Sequence, residues 1–551
     1  MTAVSLPFAL YFQPDGYSMA GKIMGRQAAG HALLKAAAAY EDSEVLHATG
    51  PHPDQQNMLR AMLDEFGSSV QVHWHTLHRP ESLGDLGALY YPAPPTRAAA
   101  ALRNNVRSAA YSVFGVTHTL SSDGAMALLA DLALPPFKPW DALICTSRVT
   151  RDVFEQLKMR TREAFARETG AVRFPDVQAP IIPLGIVTKD FAPDEKLRAM
   201  ARQECGLDAD SIMILSLGRL TFHAKYNPAP LYRALETLPP AVKARLLLVE
   251  CGVYPNDGIA KAYSQAQAAL MPSVRCIQAD GANARLRAGL WRAADLFVSL
   301  SDNIQETFGL SPIEAMAAGL PVIATDWNGY RDTVRHGVDG FLIPTLSAPP
   351  GTGGDLARRY AVGADSYDMY IGRASLATAC DHEVLEIALS RLIGDRDLRK
   401  RMGEAGRQRA VQDYDWAHIL RRYAALCHDL AEIRLKAACD EPEEWPERPD
   451  PFSLFATYPS RCVALDDRVV VAPRVEERFA ETARLMMANY GFHEECLPSS
   501  LLQRLVKAAA RQDHWQAGDL MIAAGGDQAV ATRSLLWLAK FGLCRIDPHK
   551  G

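Results

Sequence analysis

The sequence lacks the long apolar segments and the basic excess that characterise membrane and nucleic-acid-binding proteins. In its 551 residues no apolar run approaches the roughly 20 residues of a membrane-spanning helix. The first residues, MTAVSLPFALYFQPDG, contain no basic region or cleavage site typical of a signal peptide. The 59 Lys and Arg are outnumbered by 64 Asp and Glu, giving a net charge of −5. This balance disfavours a protein that coats nucleic acid.

Cysteine is also sparse and unclustered. The ten cysteines form no C-x-x-C motif and no close Cys/His cluster, so the sequence predicts neither a zinc site nor a disulfide framework. A reducing cytoplasm is the expected location, with a peripheral position at the inner face of the membrane as an alternative. Hydrophobic residues make up 48% and charged residues 22%, which excludes wholesale disorder. At about 150 residues per domain, the length corresponds to three or four domains.

Apolar runs alternate with helical patterns through the first 440 residues, which predicts an α/β architecture built on parallel sheets. The expected elements are a helix over Gly25–Tyr40 and short strands at Phe8–Phe12, Ser112–Thr117, Ala142–Cys145, Ile212–Leu217, Arg245–Val249, Val274–Ile277, Leu296–Leu300 and Pro321–Ala324. Two successive doubly wound units are the simplest arrangement. We expect an N-terminal Rossmann-like domain over 1–188 and a second over 189–413.

The remaining segments differ in composition. Residues 346–381 contain APPGTGG and are expected to form a flexible inserted loop. The amphipathic pattern over 414–438 predicts a packing helix. Residues 440–466 are acidic and Pro-rich, as in a linker.

Residues 467–551 are predicted to form a small accessory domain, mainly helical and faintly similar to a winged-helix unit. Its helical patterns cover Val475–Tyr490, Ser499–Gln512 and Gln528–Phe541, and a short strand follows. Its ten acidic and eleven basic side chains fall short of the charge expected for nucleic-acid binding. A protein-interaction or acceptor-docking module is favoured, and a structural cap is the simplest alternative.

The stretch from Asn303 to Asp326, NIQETFGLSPIEAMAAGLPVIATD, is the most informative for chemistry. Ser311 and Glu314 have the spacing of a helix capping box, and Glu314 alone could be no more than a capping residue. However, the predicted helix follows a strand, so its N-terminus lies at the carboxyl edge of a parallel sheet, where ligands of such sheets bind. Free backbone N–H groups there suit a phosphate, and Gly309 permits close approach. The flanking carboxylates of Glu306 and Glu314 suit sugar and ribose hydroxyls.

A second motif, LSLGRLTFHAKYN, follows the first strand of the second unit. It places Gly218 and Arg219 at the strand end and Lys225 six residues after Arg219. Either cation alone is most often a surface charge. Together, at the sheet edge beside a helix N-terminus, they are suited to bind a diphosphate.

These motifs resemble family 4 glycosyltransferases of the GT-B fold. The resemblance rests on the E-x7-E pair Glu306 and Glu314 with AMAAGLPVIATD after it, and on GRL with a Lys six residues later. It is strong over 274–343 and 212–225, and absent after 440. It implies retaining transfer of a hexosyl group from a nucleoside-diphosphate sugar, with UDP- and GDP-sugars both fitting.

The resemblance also implies residue roles. Arg219 and Lys225 would bind the diphosphate, with Gly218 beside them. Glu306 would bind the donor sugar near the amides of Phe308, Gly309 and Leu310, and Glu314 would bind the ribose. Gly25 and Arg26 would meet the donor phosphates from the first unit, and His118 would lie beside the donor sugar, although a strand-end His is more often structural. Residues 280–283 are expected near the base.

No cofactor or metal is expected, because the helix N-terminus and two cations can stabilise the leaving group and no D-x-D motif lies in a matching strand-end context. Tyr226 stands where the family usually has Gly, and Thr119 where many members have Asp. The acceptor remains open between a glycan, a lipid-linked glycan, a small molecule and a protein. The alternatives are a regulator built on a GT-B scaffold and another GT-B enzyme, such as an epimerase, an α-glucan synthase or a phosphorylase.

Overall fold

A computed structural model describes residues 6–18, 25–40, 45–437 and 441–548. The chain divides into two compact units, Met1–Trp445 and Pro446–Gly551. Within the described residues, no helix combines the length and the apolar character needed to cross a bilayer.

The first half of the larger unit is a six-stranded parallel sheet with helices on both faces. Its strands are β1 (Ala9–Tyr11), β2 (Val45–Gly50), β3 (Gln71–Thr76), β4 (Ala88–Tyr91), β5 (Ser112–Val116) and β6 (Ala142–Ile144). Its helices are α1 (Pro14–Tyr17), α2 (Gly25–Tyr40), α3 (Gln55–Glu65), α4 (Glu81–Leu86), α5 (Arg97–Asn104), α6 (Asp123–Asp131) and α7 (Arg148–Thr169).

The second half repeats this architecture after a 3-10 turn at Thr188–Phe191. Its parallel strands are β7 (Ile212–Leu217), β8 (Leu246–Gly252), β9 (Arg275–Asp280), β10 (Leu296–Ser299), β11 (Val322–Thr325) and β12 (Gly340–Ile343). Its helices up to β12 are α8 (Glu195–Glu204), α9 (Ala229–Glu236), α10 (Pro240–Lys243), α11 (Asp257–Leu270), α12 (Ala284–Ala293), α13 (Leu310–Ala317) and α14 (Tyr330–Thr333).

Both sheets have the strand order of a doubly wound Rossmann fold. The first runs β3-β2-β1-β4-β5-β6 and the second β9-β8-β7-β10-β11-β12. In each, the order reverses between the first and fourth strands of that half, and ligands of open α/β sheets bind at the carboxyl edge at this reversal. In the second half the reversal lies between β7 and β10, whose following loops carry the two predicted motifs.

Continuous apolar runs form the central strands because helices cover both faces of each sheet. In β7, Met213 and Leu215 pack into one core cluster, whereas Ile212 and Ile214 pack into the cluster on the opposite face. The strands β2, β3, β4 and β12 were not predicted. In β2 and β3 histidines alternate with apolar residues, so those strands lack the continuous apolar character on which the prediction depended.

The chain crosses between the two halves at two adjacent points. The amide of Ile186 donates to the carbonyl of Tyr414 at 2.8 Å, and the amide of Trp416 donates to the carbonyl of Ile186 at 3.1 Å. Helices α17 (His382–Gly394) and α18 (Arg396–Asp413) precede the second crossing, and α19 (Trp416–Leu435) follows it. Helix α19 packs back on the first sheet, where the ring of Tyr423 contacts those of Tyr90 and Phe114.

Residues 346–381 are ordered rather than a flexible loop, which corrects the sequence prediction. Strands β13 (Thr345–Ser347) and β14 (Thr378–Cys380) pair antiparallel at their base. Between them lie helices α15 (Gly354–Ala361) and α16 (Tyr367–Ser375). The rings of Tyr360 and Tyr370 stack at 4.7 Å between centroids, which holds these two helices together.

The smaller unit contains a three-stranded antiparallel sheet in the order β16-β15-β17. Its elements are α20 (Pro451–Leu454), β15 (Arg468–Val471), α21 (Val475–Thr482), α22 (Met486–Asn489), α23 (Ser499–Ala509), β16 (His514–Gln516), α24 (Ala517–Ala524), α25 (Gln528–Lys540) and β17 (Cys544–Asp547). The single helix predicted over 475–490 is two helices, and α24 was not predicted. The acidic segment predicted as a linker contributes to this unit, since Arg461 pairs with Asp467 and donates to the carbonyl of Ile546 at 3.0 Å.

Candidate active site

Lys225 and Glu306 form an ion pair at the carboxyl edge of the second sheet, where β7 and β10 diverge. Their side chains are 17% and 14% exposed. The Glu306 carboxylate also accepts the amides of Thr307 at 3.2 Å and Phe308 at 3.4 Å. The structure therefore brings together two residues 81 positions apart that the sequence assigned to one site.

The two members of this pair stabilise each other's charged forms. Burial acts against charge on both, but the neighbouring Lys225 and the two backbone amides hold the pKa of Glu306 below its ordinary value. Burial likewise acts to lower the pKa of Lys225, and the Glu306 carboxylate more than offsets this, so the pKa is raised. At neutral pH the site contains a buried ammonium and a buried carboxylate.

Arg219 lies at the same edge, where it donates to the side-chain carbonyl of Gln305. Asn303 joins the two loops, because its amide group donates to the carbonyl of His223 at 2.8 Å. Gln305 was not predicted as a site residue. Its position next to Glu306 in the motif was the only available signal.

Helix α13 directs its N-terminus toward this pair, although its cap differs from the prediction. The helix begins at Leu310 with Gly309 as N-cap, and no side chain caps it, so the predicted Ser311–Glu314 capping box is wrong. Gly309 has a φ of 88°, and a Cβ at this position would clash with the ring of Tyr330. With no capping side chain in the way, the first amides of α13 are available to an anionic ligand.

Glu314 lies within α13 and has a different electrostatic environment from Glu306. Burial raises its pKa to about 7, while Arg287 and Lys225 act in the opposite direction. Because Glu314 does not cap the helix, capping does not account for its half-buried carboxylate. The ribose contact implied by the resemblance stays a prediction.

His118 reaches the site from the first half, at the end of β5. Its Nε2–H donates to the carbonyl of Pro92 at 2.9 Å, because a carbonyl can only accept. The Thr307 hydroxyl donates to the carbonyl of His118 at 2.6 Å. His118 thus lies directly against the loop that carries Glu306, while its Nε2–H is engaged by the carbonyl of Pro92.

Other predicted residues lie at the margins of this site. Gly25 and Arg26 open helix α2, and their side chains lie outside the described residues. Asn283 caps helix α12 through the amide of Leu286, and Arg287 donates to the carbonyl of Gly281, so the loop over 280–283 is fixed locally. Tyr226, where the family usually has Gly, is buried, and its hydroxyl is hydrogen-bonded to the Ser216 hydroxyl.

Tyr367 of the inserted helix α16 is a bridging residue that the sequence did not reveal. Its hydroxyl lies 2.8 Å from Ser121 Oγ and 3.1 Å from Thr119 Oγ1, both in the first half. It also accepts from the side-chain amide of Gln305 at 3.2 Å. The insertion therefore closes one side of the cleft.

A cavity of about 450 Å³ opens beside Glu306 and Thr307. Helices α6 and α7 supply its apolar wall, including Met126 and Val153, and Arg160 lies at the same wall. A second cavity, of about 690 Å³, lies between the insertion and the second sheet and contains Asp302, whose pKa burial raises to about 7.

Outside the cleft, the fold assembles His47, His73 and His75. The sequence predicts no close Cys/His cluster, whereas the structure brings these three histidines together. The three residues belong to strands that were not predicted, so their alternation and pairing were not recognised.

Residues 198–348 match the family described as glycosyl transferases group 1. Similar curated proteins include the D-inositol 3-phosphate glycosyltransferase of Thermobispora bispora, 32% identical over 176 residues. That of Actinosynnema mirum is 29% identical over 236 residues. These alignments cover 31% and 41% of this chain, and 39% and 53% of the respective relatives. The chain thus spans about two fifths to half of the length of the curated relatives it matches.

Crystal structures of Anabaena HepE have a similar fold. The complex with UDP superposes with a TM-score of 0.50 at 18% identity, covering 78% of this chain and 100% of HepE. The complex with UDP and glucose gives 0.50 at 17% identity, covering 77% and 99%. The two Rossmann-like halves therefore have the GT-B fold, which confirms the predicted fold class.

Proposed function

We propose that the chain transfers a hexosyl group from a UDP- or GDP-sugar to an acceptor hydroxyl, with retention of anomeric configuration. The observation that carries this proposal is the buried Lys225–Glu306 pair at the point where the second sheet reverses its strand order. Removing a charged pair from water costs free energy, which other interactions must offset. A site that binds a diphosphate and a sugar accounts for two charges buried at this position.

In this proposal, Arg219, Lys225 and the N-terminus of α13 bind the donor diphosphate. Negative charge develops on the diphosphate as the glycosidic bond breaks, and fixed cations and amides stabilise it without reorganising. Glu306 binds the sugar hydroxyls beside the amides of Phe308 to Leu310. Glu314 binds the ribose hydroxyls. The two cations and the helix supply enough positive charge that we propose no resident metal for this step.

UDP is the first donor nucleotide to test, because the HepE structures contain UDP. The names of the curated relatives specify an inositol phosphate as acceptor. For this chain we propose that the acceptor enters the cavity of about 450 Å³ beside Glu306. In a retaining transfer, the acceptor hydroxyl attacks the same face of the sugar from which the diphosphate leaves. We assign no carboxylate as a covalent nucleophile.

Release of nucleoside diphosphate, measured with and without acceptor, tests the reaction. The full chain is incubated with UDP-glucose, GDP-mannose and ADP-glucose in turn, after thermal-shift screening has identified the nucleotides that bind. Acceptor-dependent release with a glycosylated product supports transfer. Interconversion of the sugar nucleotide without release indicates an epimerase instead. Binding of no nucleotide sugar favours the regulatory alternative.

We further propose a cytoplasmic location, supported by free thiols at the cysteines of the described residues. For the smaller unit we propose contact with another protein. Met486 and Met487 on helix α22, and Tyr490 directly after it, are 84%, 73% and 80% exposed. Adjacent exposed apolar side chains of this kind are typical of interaction surfaces.

A further inference from the structure

The three histidines of the first half lie on one face of the parallel pair β2 and β3. His47 is the register partner of His73, and His75 follows two residues after His73. Leu46 and Ala48, which flank His47, belong to the core cluster on the opposite face. Because side chains alternate along a strand, this arrangement directs all three imidazoles to the same side.

The imidazoles are close enough to share one ion. His47 Nδ1 lies 2.9 Å from His75 Nε2. One ring nitrogen from each residue lies within 4.8 Å of the others. In a tetrahedral zinc site, nitrogens at about 2.0–2.1 Å from the metal are about 3.3 Å apart. The three nitrogens therefore need only small side-chain rotations to reach the spacing of ligands around one metal ion.

Ser82 of helix α4 orients one of these rings. Its hydroxyl donates to the carbonyl of Arg79 at 3.5 Å, and it lies 3.0 Å from His75 Nδ1. In the tautomer in which Ser82 accepts from His75 Nδ1–H, the lone pair of His75 lies on Nε2, the nitrogen that faces His47. The His47 Nδ1–H then points at that lone pair. For a metal ion to bind His47 Nδ1, this proton must move to His47 Nε2, so that the imidazole stays neutral. A hydroxyl on the distal nitrogen, as at His75, is the kind of partner that orients metal-ligating histidines.

We propose that His47, His73 and His75 bind a divalent transition-metal ion, with Zn²⁺ as the expected metal. Three neutral nitrogen ligands without a thiolate suit zinc and its neighbours in the first transition series. His73 is exposed and His75 is buried, so the ion enters from solvent at His73 and leaves its fourth position to water.

This site is independent of the proposed transfer reaction, and its role is structural. Among the strands of the described residues, β3 lies at the edge of the first sheet and pairs only with β2. A metal shared by β2 and β3 links the edge strand to its neighbour. Because it binds the folded chain and not the unfolded one, it raises the thermal stability of the larger unit.

Metal titration of the full chain, produced without a polyhistidine tag and stripped with a chelator, tests the proposal. Zn²⁺ alone is titrated by calorimetry, and Co²⁺ alone is followed by its visible absorption. We expect one equivalent bound by the wild type and an increase in Tm on addition of Zn²⁺. Affinity should fall at least tenfold in His73→Gln and in His47→Gln, and Ser82→Ala should weaken binding less.

His428→Gln is the matched control, because His428 is an exposed histidine on α19, outside the cluster. It should bind one equivalent as the wild type does. His73→Gln alters an exposed side chain, and circular dichroism verifies that it folds. Wild-type affinity in both His73→Gln and His47→Gln, or no binding by the folded wild type, would overturn the proposal.

Discussion

The Thr307 hydroxyl donates a 2.6 Å hydrogen bond to the carbonyl of His118, directly joining the loop after β10 to the loop after β5. Thr307 follows Glu306, so this bond connects the first half to the residue proposed to bind the donor sugar. The carbonyl of Thr307 in turn accepts from Ser147 Oγ at 2.9 Å. The position of Glu306 therefore depends on contacts from both halves.

Lys225→Ala should reduce the transfer rate about 10²-fold or more. A fixed positive group that stabilises the leaving diphosphate is lost, and removal of a comparable group costs about 10²–10³-fold in kcat. Glu306→Ala should have a similar effect. Because the two side chains form one ion pair, the double variant should lose less than the product of the single losses. Steady-state kinetics of donor turnover measures all three.

Lys243→Ala is the control for the loss of a paired lysine. Lys243 and Glu236 form an ion pair at 2.7 Å with side chains 13% and 25% exposed, on helices α9 and α10. This variant should lose a little stability and keep its transfer rate. Unchanged turnover of the sugar nucleotide in Lys225→Ala or in Glu306→Ala would contradict the assignment of these residues to the donor site.

Tyr367→Phe should raise the KM for donor and acceptor about two- to tenfold. It removes a hydroxyl that bonds Ser121 and Gln305, and each such bond contributes about 0.5–1.5 kcal/mol. Tyr370→Phe is the control, since Tyr370 lies on the same helix and stacks on Tyr360. Equal kinetics in the two variants would show that the insertion does not hold the cleft closed.

Glu314→Gln should separate stability from nucleotide binding. The folded-state pKa of Glu314, about 7, lies above its ordinary 4.5 because of burial. Its contribution to stability is therefore fully present below pH 4.5 and is lost as the pH rises through 7. The variant should match the wild-type Tm at pH 5 and exceed it at pH 8. Its affinity for UDP at pH 8 should be about tenfold lower, since a bond to a charged carboxylate contributes about 1.5–3 kcal/mol.

Glu250→Gln provides the comparison. Burial also raises the pKa of Glu250 to about 7, and its carboxylate accepts from the Tyr232 hydroxyl at 2.8 Å. This variant should show the same pH-dependent gain in Tm with unchanged UDP affinity. Melting curves from pH 5 to 8 measure the gain in Tm of both variants. Calorimetric titration with UDP measures whether only Glu314→Gln loses affinity. Equal UDP affinity in Glu314→Gln and wild type would contradict the ribose contact.

Gly309→Ala should lower both Tm and kcat/KM, the latter at least tenfold. The added methyl group clashes with the ring of Tyr330 and is strained at a φ of 88°, which costs about 1–2 kcal/mol before the clash is counted. Displacement of this residue also moves the amides that open α13. Gly394→Ala is the control, because a Cβ there meets open space. Wild-type kinetics in Gly309→Ala would exclude close approach of the donor at this point.

The fold class was predictable from sequence, and so was the position of the Arg219–Lys225 and Glu306–Glu314 motifs at one sheet edge. Both depend on local patterns of strands and loops. Ile212–Leu217 is apolar apart from Ser216 and was predicted with the bounds that β7 has. The contacts of Tyr367 and Gln305 were not predictable, because the residues they join are distant in sequence. The Ser311 capping box was a plausible local pattern, but Gly309 takes the cap position instead. The histidine cluster depends on strand register, which a single sequence does not specify.

The two crossings near Ile186 and Trp416 share backbone hydrogen bonds and therefore act as one hinge rather than two independent linkers. A swing about this connection would preserve these bonds, whereas sliding one half past the other would break them. Opening of the cleft would also break the hydrogen bond from Thr307 to the His118 carbonyl, which lies away from the hinge.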